Sequence, residues 1–212
     1  MMQIALETAG KRFNRDWIFR DFSYQFNQGS SYAITGPNGS GKSTILQVLS
    51  GSMGISAGHI QWKHQSGGNW KNIDHEQVHK QVAIVAPYLE VIEEMTVTEF
   101  LRFHQTFKPF VNTISISDII QIINLEKAAD KQIRFYSSGM KQRVKLAQAI
   151  FADVPVLLLD EPCTNLDVTG YELYHKLINE YARDKMVIVS SNDINEYRFC
   201  EQQLNIMDYK RN

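Results

Sequence analysis

The chain has 212 residues, 43% hydrophobic and 21% charged, with 22 basic against 23 acidic side chains and a formal net charge of −1. That length suits one domain, or one domain with an inserted lobe. The charge balance argues against a chain devoted to nucleic acid, which needs a surplus of Lys and Arg, and no stretch approaches the ~18 apolar residues of a membrane span. The N-terminal MMQIALETAGKRF lacks the apolar core of a signal peptide. Cys163 and Cys200 show no zinc or redox-pair spacing, so two reduced thiols and a cytosolic location are expected.

In chain order, residues 3–8 alternate and predict a first strand, and the aromatic-rich WIFRDFSYQF at 17–26 predicts a second. After a turn at Gln28-Gly29-Ser30, the short apolar SYAIT at 31–35 runs into a glycine-rich loop. Ile45, Leu46 and Leu49 then share one helical face, and Gly51 and Gly54 end that helix. Residues 59–63 read as a strand, and HQSGGNWKNID at 64–74 as a flexible surface loop because of its paired glycines. Residues 82–85 predict a buried strand, ended by Pro87, and from 88 to 150 the pattern is mostly helical with a break near Lys108-Pro109. VPVLLLD at 154–160 reads as a central strand covered on both faces. A helix over 171–183 and a buried strand MVIVS at 186–190 complete an alternation that predicts an α/β fold with a mainly parallel sheet. Such sheets gather ligands at the carboxyl ends of their strands.

Two motifs fall at those ends. Gly36, Pro37, Asn38, Gly39, Ser40, Gly41, Lys42, Ser43 and Thr44 fit GxxxxGK[ST] at every fixed position, between a predicted strand and a predicted helix. Glycines there let successive N–H groups converge on an anion, and the helix start adds positive potential. Lys42 would meet the β- and γ-phosphates, and the Ser43 hydroxyl would meet Mg²⁺. Past the buried strand, Asp160 is placed to hold Mg²⁺ and Glu161 to act on a water aligned with the γ-phosphate.

Tyr136-Ser137-Ser138-Gly139-Met140-Lys141-Gln142-Arg143, just ahead of the acidic strand, resembles the LSGGQ signature of the ABC ATPases. With the phosphate loop and Asp160-Glu161-Pro162, the resemblance covers nearly the whole chain. It implies a P-loop NTPase core (residues 1–86 and 151–212) with an N-terminal antiparallel β subdomain and an inserted helical lobe (87–150). It implies ATP and Mg²⁺, a second ATP-binding subunit, alike or similar, and a transmembrane permease holding the chain at the inner face of the membrane. Ser137, Ser138 and Gly139 would contact the nucleotide held by the opposite subunit, and Thr164-Asn165-Leu166-Asp167 would link the two sites. Phe13 would stack on adenine, with Trp17 as its rival. Soluble ABC proteins acting on ribosomes or DNA usually carry two cassettes or a long insertion, which this chain lacks.

Two positions depart from the family's pattern. Pro87 stands where a Gln is usual, and proline offers neither side-chain amide nor backbone N–H; Glu90, Glu93 and Glu94 are the nearby candidates to replace it. Asn192 stands where a His is usual. Its amide can donate to a γ-phosphate but cannot titrate near neutral pH. The expectation is ATP binding and dimer closure with slow hydrolysis, or, as the alternative, a nucleotide-gated switch that hydrolyses little.

Overall fold

A computed structural model describes residues 1–210. It holds two sheets. The first is antiparallel: β1 (Met2–Phe13) lies between β2 (Asp16–Asn27) and β4 (Ala57–Ser66), and β5 (Asn69–Asn72) extends the far edge. The stretch 64–74, expected to be a flexible loop, is instead largely a hairpin. Gly67 (φ 59°) and Gly68 (φ 83°) form its two-residue turn, with Ser66 opposite Asn69. Two successive positive φ values are what a tight hairpin turn demands, so the glycine pair fixes the register there rather than loosening the chain.

The second sheet contains β3 (Ser31–Thr35), β6 (Val82–Val85), β7 (Val156–Asp160), β8 (Met186–Ser190) and β9 (Gln202–Asn205), all parallel, in the order β6-β7-β8-β3-β9. The edge strand β9 was not foreseen: it is short, and three of its four residues are exposed. Both faces of β7 and β8 are buried. Leu157, Leu159, Val187 and Val189 enter a core shared with the helices of residues 87–150, while Val156, Leu158, Met186 and Ile188 enter a second core against the antiparallel sheet. That two-sided burial is why these strands read as unbroken apolar runs.

Helix α1 (Lys42–Leu49) follows the glycine loop. Residues 87–150 carry α2 (Val97–Phe107), α3 (Ile116–Ile122) and α4 (Ser138–Ile150), with α2 and α3 both opened by capping boxes, Thr96 with Glu99 and Ser115 with Asp118. Such boxes satisfy N–H groups that would otherwise be left over at a helix start. Helix α5 (Val168–Tyr181) starts three residues earlier than the sequence suggested, because Asp167 caps it by accepting from Gly170 N–H at 2.8 Å. The short α6 (Ile194–Tyr197) follows β8. No described helix is long and apolar enough to cross a membrane.

Candidate functional site

Strand register assembles the site. Ile34 pairs with Ser190, and Ser190 with Asp160, so β3, β8 and β7 end on one rung. The loop 36–41, Glu161 and Asn192 therefore emerge along one edge although they are far apart in sequence.

The glycine loop has the backbone of an anion cradle. Gly36, Gly39 and Gly41 have φ of 143°, 74° and 104°, values an L side chain adopts only under strain. A Cβ on Gly41 would stand 2.2 Å from Ile18 Cγ2. That contact docks the β1–β2 hairpin onto the loop and brings the hairpin tip, with Phe13 opposite Asp16, alongside. Phe13 is 46% exposed, with Lys11 Nζ 5.2 Å from its ring centroid. The rival Trp17 is engaged by two guanidinium groups, Arg12 at 5.6 Å and Arg20 at 5.1 Å.

Lys42 is 5% exposed and turns its ammonium onto the loop's own carbonyls, Gly36 O at 2.8 Å and Pro37 O at 3.3 Å. Burial lowers its pKa, while Glu161 and Asp160 nearby raise it. The buried Ser40 hydroxyl has no hydrogen-bond partner among the described residues. A buried charge folded back on carbonyls beside an unpaired hydroxyl suits an anion that would satisfy both. Asp160 is buried at the strand end and Ser43 is half-buried at the start of α1. Among the described residues, no three His, Cys, Asp or Glu side chains form a metal-holding group. One carboxylate and one hydroxyl are a donor set that suits Mg²⁺ taking most of its ligands from phosphate and water.

Glu161 has φ 44°, left-handed for a non-glycine residue. Three hydrogen bonds hold it there: its N–H donates to Ser190 O at 2.9 Å, and its carbonyl accepts from Thr164 N–H at 3.2 Å and Thr164 Oγ1 at 2.8 Å. Strain of about 1–3 kcal/mol at such a residue persists only where neighbours over-determine it. Asn192 is exposed and donates its amide to Asn38 Oδ1 at 2.6 Å, bridging β8's end to the glycine loop.

Ser137, Ser138 and Gly139 lie elsewhere. Ser137 caps α4 by accepting from Met140 N–H at 3.3 Å. With Asn124, Arg143 and Asp167, the three line an open cavity of about 460 Å³ that no glycine-loop residue lines. The loop 162–167 runs beside them: Asn165 O would sit 3.1 Å from a Cβ on Gly139, and the buried Gln142 side chain donates to Pro162 O at 2.6 Å. Within one chain the glycine loop and the Ser137 segment thus do not share this cavity.

Pro87 is exposed just past β6. The three acids expected to replace a side chain there are turned toward the helical segment. Glu93 pairs with Lys141 at 2.5 Å, Glu94 with Arg134 at 3.5 Å, and Glu90 faces Lys145. Instead Tyr88, which sequence reasoning missed, lies half-exposed near Gln47 and the charge of Asp160, and partial desolvation raises its pKa. Its position three residues past Val85, which pairs with Leu159, is the one hint that the strand order carried.

The chain matches the family model described as ABC transporter over residues 19–164. It is 29% identical over 203 residues to the uncharacterized ABC transporter ATP-binding protein YxlF of Bacillus subtilis, covering 94% of this chain and 66% of that protein. It is 30% identical over 209 residues to the Nod factor export ATP-binding protein I of a Rhizobium species, covering 95% and 67%. The chain thus spans about two thirds of the length of these relatives. The dimeric structure of a bacterial ABC transporter cassette superposes with a TM-score of 0.77 at 22% identity, covering 96% of this chain and 94% of that one.

Proposed function

The chain belongs to the ABC transporter ATP-binding family, and from that premise we propose that two copies, or one copy and a similar partner, close over two ATP molecules to drive a transmembrane permease. The observation that carries this reading is the separation of two complementary half-sites in one chain. The glycine loop with Asp160, Glu161 and Asn192 forms one edge, and Ser137, Ser138 and Gly139 open a helix on a different surface. A second chain would supply what each half lacks.

In this reading Lys42 leaves its loop carbonyls for the β- and γ-phosphates, and the N–H groups of residues 36–44 cradle them. Phe13, the freer aromatic face at the hairpin tip, stacks on adenine. Ser43 and Asp160 would hold Mg²⁺, which when bound neutralises charge on the phosphoryl oxygens. Glu161, fixed by its three hydrogen bonds, accepts a proton from the attacking water or orients it. Ser137, Ser138 and Gly139 present a helix start to the γ-phosphate of the opposite chain. Closure is driven by tighter ATP binding in the closed than in the open state, and loss of the γ-phosphate reverses it. Residues 87–150 would form the lobe that passes this motion to the permease, and the permease would hold the chain at the membrane's inner face.

The reading of a switch that hydrolyses little rests on Pro87 and Asn192. Pro87 has no group for the phosphate, and the amide of Asn192 is engaged by Asn38. The deciding experiment is an ATP–Mg²⁺ titration with sedimentation, run beside a turnover assay. Wild-type should bind ATP and pair, and Lys42→Ala should do neither. A wild-type chain with no ATP affinity overturns the proposal. Tight binding with fast turnover overturns only the switch reading.

A further inference from the structure

We propose that Glu196 is a positioning residue that ties the segment 191–193 to the loop 162–167, so that the state of one phosphate site reaches the surface offered to a second chain. The inference rests on the ATP-dependent pairing proposed above. Glu196 lies on α6, outside every motif singled out in the sequence, yet it is only 3% exposed. Its Oε1 accepts the Cys163 N–H at 2.7 Å in a buried bond, and its buried Oε2 has no hydrogen-bond partner of normal geometry among the described residues. The Ser191 hydroxyl lies beside the same carboxylate, and Ser191 Oγ accepts the Asp193 N–H at 2.9 Å.

A carboxylate is a costly group to bury. An apolar residue would fill the same space without that cost, but it could not hold the Cys163 N–H. What the carboxylate adds is a directional link. From Asn38 the path runs through the Asn192 amide (2.6 Å), along the backbone to Glu196, and across to Cys163. Cys163 O in turn accepts the Leu166 N–H at 2.9 Å, next to Asp167, which caps α5 and lines the Ser137 cavity. Helix α5 braces the same unit from the other side: Tyr171 OH donates to Asp193 Oδ2 and Tyr174 OH to Glu196 O, each at 2.8 Å. A shift of Asn192 on engaging phosphate would therefore move the loop 162–167 as one body with α6.

The test compares Glu196→Ala with Glu196→Gln, whose amide oxygen still accepts the Cys163 N–H. Three quantities are read: affinity for ATP–Mg²⁺ at low protein concentration, ATP-driven pairing by sedimentation, and hydrogen exchange of residues 162–167 in nucleotide-free protein. Glu196→Ala should keep ATP affinity within about twofold, weaken pairing about tenfold and speed loop exchange, as expected for losing one buried charge-assisted hydrogen bond. Glu196→Gln should pair within about threefold of wild-type on the same scale. Should Glu196→Ala not fold, Glu196→Asp gives the same reading, since it keeps the charge but is too short to reach Cys163. Pairing and loop exchange at wild-type levels in Glu196→Ala would overturn the inference. So would parallel loss of affinity and pairing, or a Gln variant as defective as Ala. Wild-type protein that binds no ATP brings down the pairing proposal and this inference together, whereas wild-type pairing matched by Glu196→Ala brings down this inference alone.

Discussion

Gly41→Ala probes the joint between the glycine loop and the β1–β2 hairpin. Two costs are legible at that position. The backbone sits at φ 104°, ψ 13°, where an added Cβ costs about 1–2 kcal/mol. The Cβ would also stand 2.2 Å from Ile18 Cγ2 and 3.3 Å from Ile206 Cδ1, an overpacking that costs about 1–3 kcal/mol. The two together predict a loss of about 2–5 kcal/mol, and a thermal midpoint roughly 5–15 °C lower at this chain length. Ile18→Ala removes the nearer clash, so in the Gly41→Ala background it should recover about 1–3 kcal/mol while leaving the backbone cost in place. Urea unfolding of the four proteins in the cycle measures both parts. Because the displaced hairpin carries Phe13, ATP affinity should fall further than affinity for inorganic triphosphate. A Gly41→Ala protein as stable as wild-type, or one that Ile18→Ala does not relieve, would refute the claimed docking of hairpin on loop.

Other consequences can be checked with single substitutions. Tyr88→Phe removes the hydroxyl beside Gln47 and Asp160; ATP turnover should fall while ATP affinity holds, and unchanged turnover would remove Tyr88 from the site. Asn192→His should raise turnover and give it a pH dependence near the ordinary histidine pKa of about 6.5; a flat, unchanged rate would mean the Asn is no handicap. Ser137→Ala should cost about 0.5–2 kcal/mol through loss of the α4 cap and should also weaken ATP-driven pairing; stability loss without a pairing defect would leave Ser137 as a cap alone. His104 packs against Phe110 with its Nδ1 unpartnered among the described residues, and burial, helped by Lys108, lowers its pKa to about 4. A histidine depressed in the folded state is protonated first in the unfolded chain, so stability is lost as pH falls from about 6.5 toward 4. Allowing for its partial exposure, about 2 kcal/mol should go over that range, and His104→Leu should flatten the slope measured by urea unfolding.

The parallel sheet and the glycine loop were legible because local chemistry fixes them. The runs at 156–160 and 186–190 are apolar on both faces, and only a strand covered on both sides needs that pattern. The loop's glycines announce a backbone that other residues resist. The hairpin at Gly67-Gly68 and the strand β9 were less legible. Paired glycines serve a flexible linker and a tight turn alike, and β9 shows too little burial to display a pattern. The sequence by itself determined which groups were available: a glycine-rich loop with a lysine, two acids after a strand, a capped helix start, and a Pro and an Asn at two unusual places. Only the tertiary structure decided which of them meet. Pairing of Ile34, Ser190 and Asp160 on one rung gathers three separate segments of the chain, while Ser137 lines a cavity that no glycine-loop residue lines. The placement of Tyr88 near Asp160 and of Glu196 against Cys163 likewise comes from proximity across the fold. Local sequence records the cost of a conformation or of exposing a side chain, but a hydrogen bond between distant segments leaves no local trace.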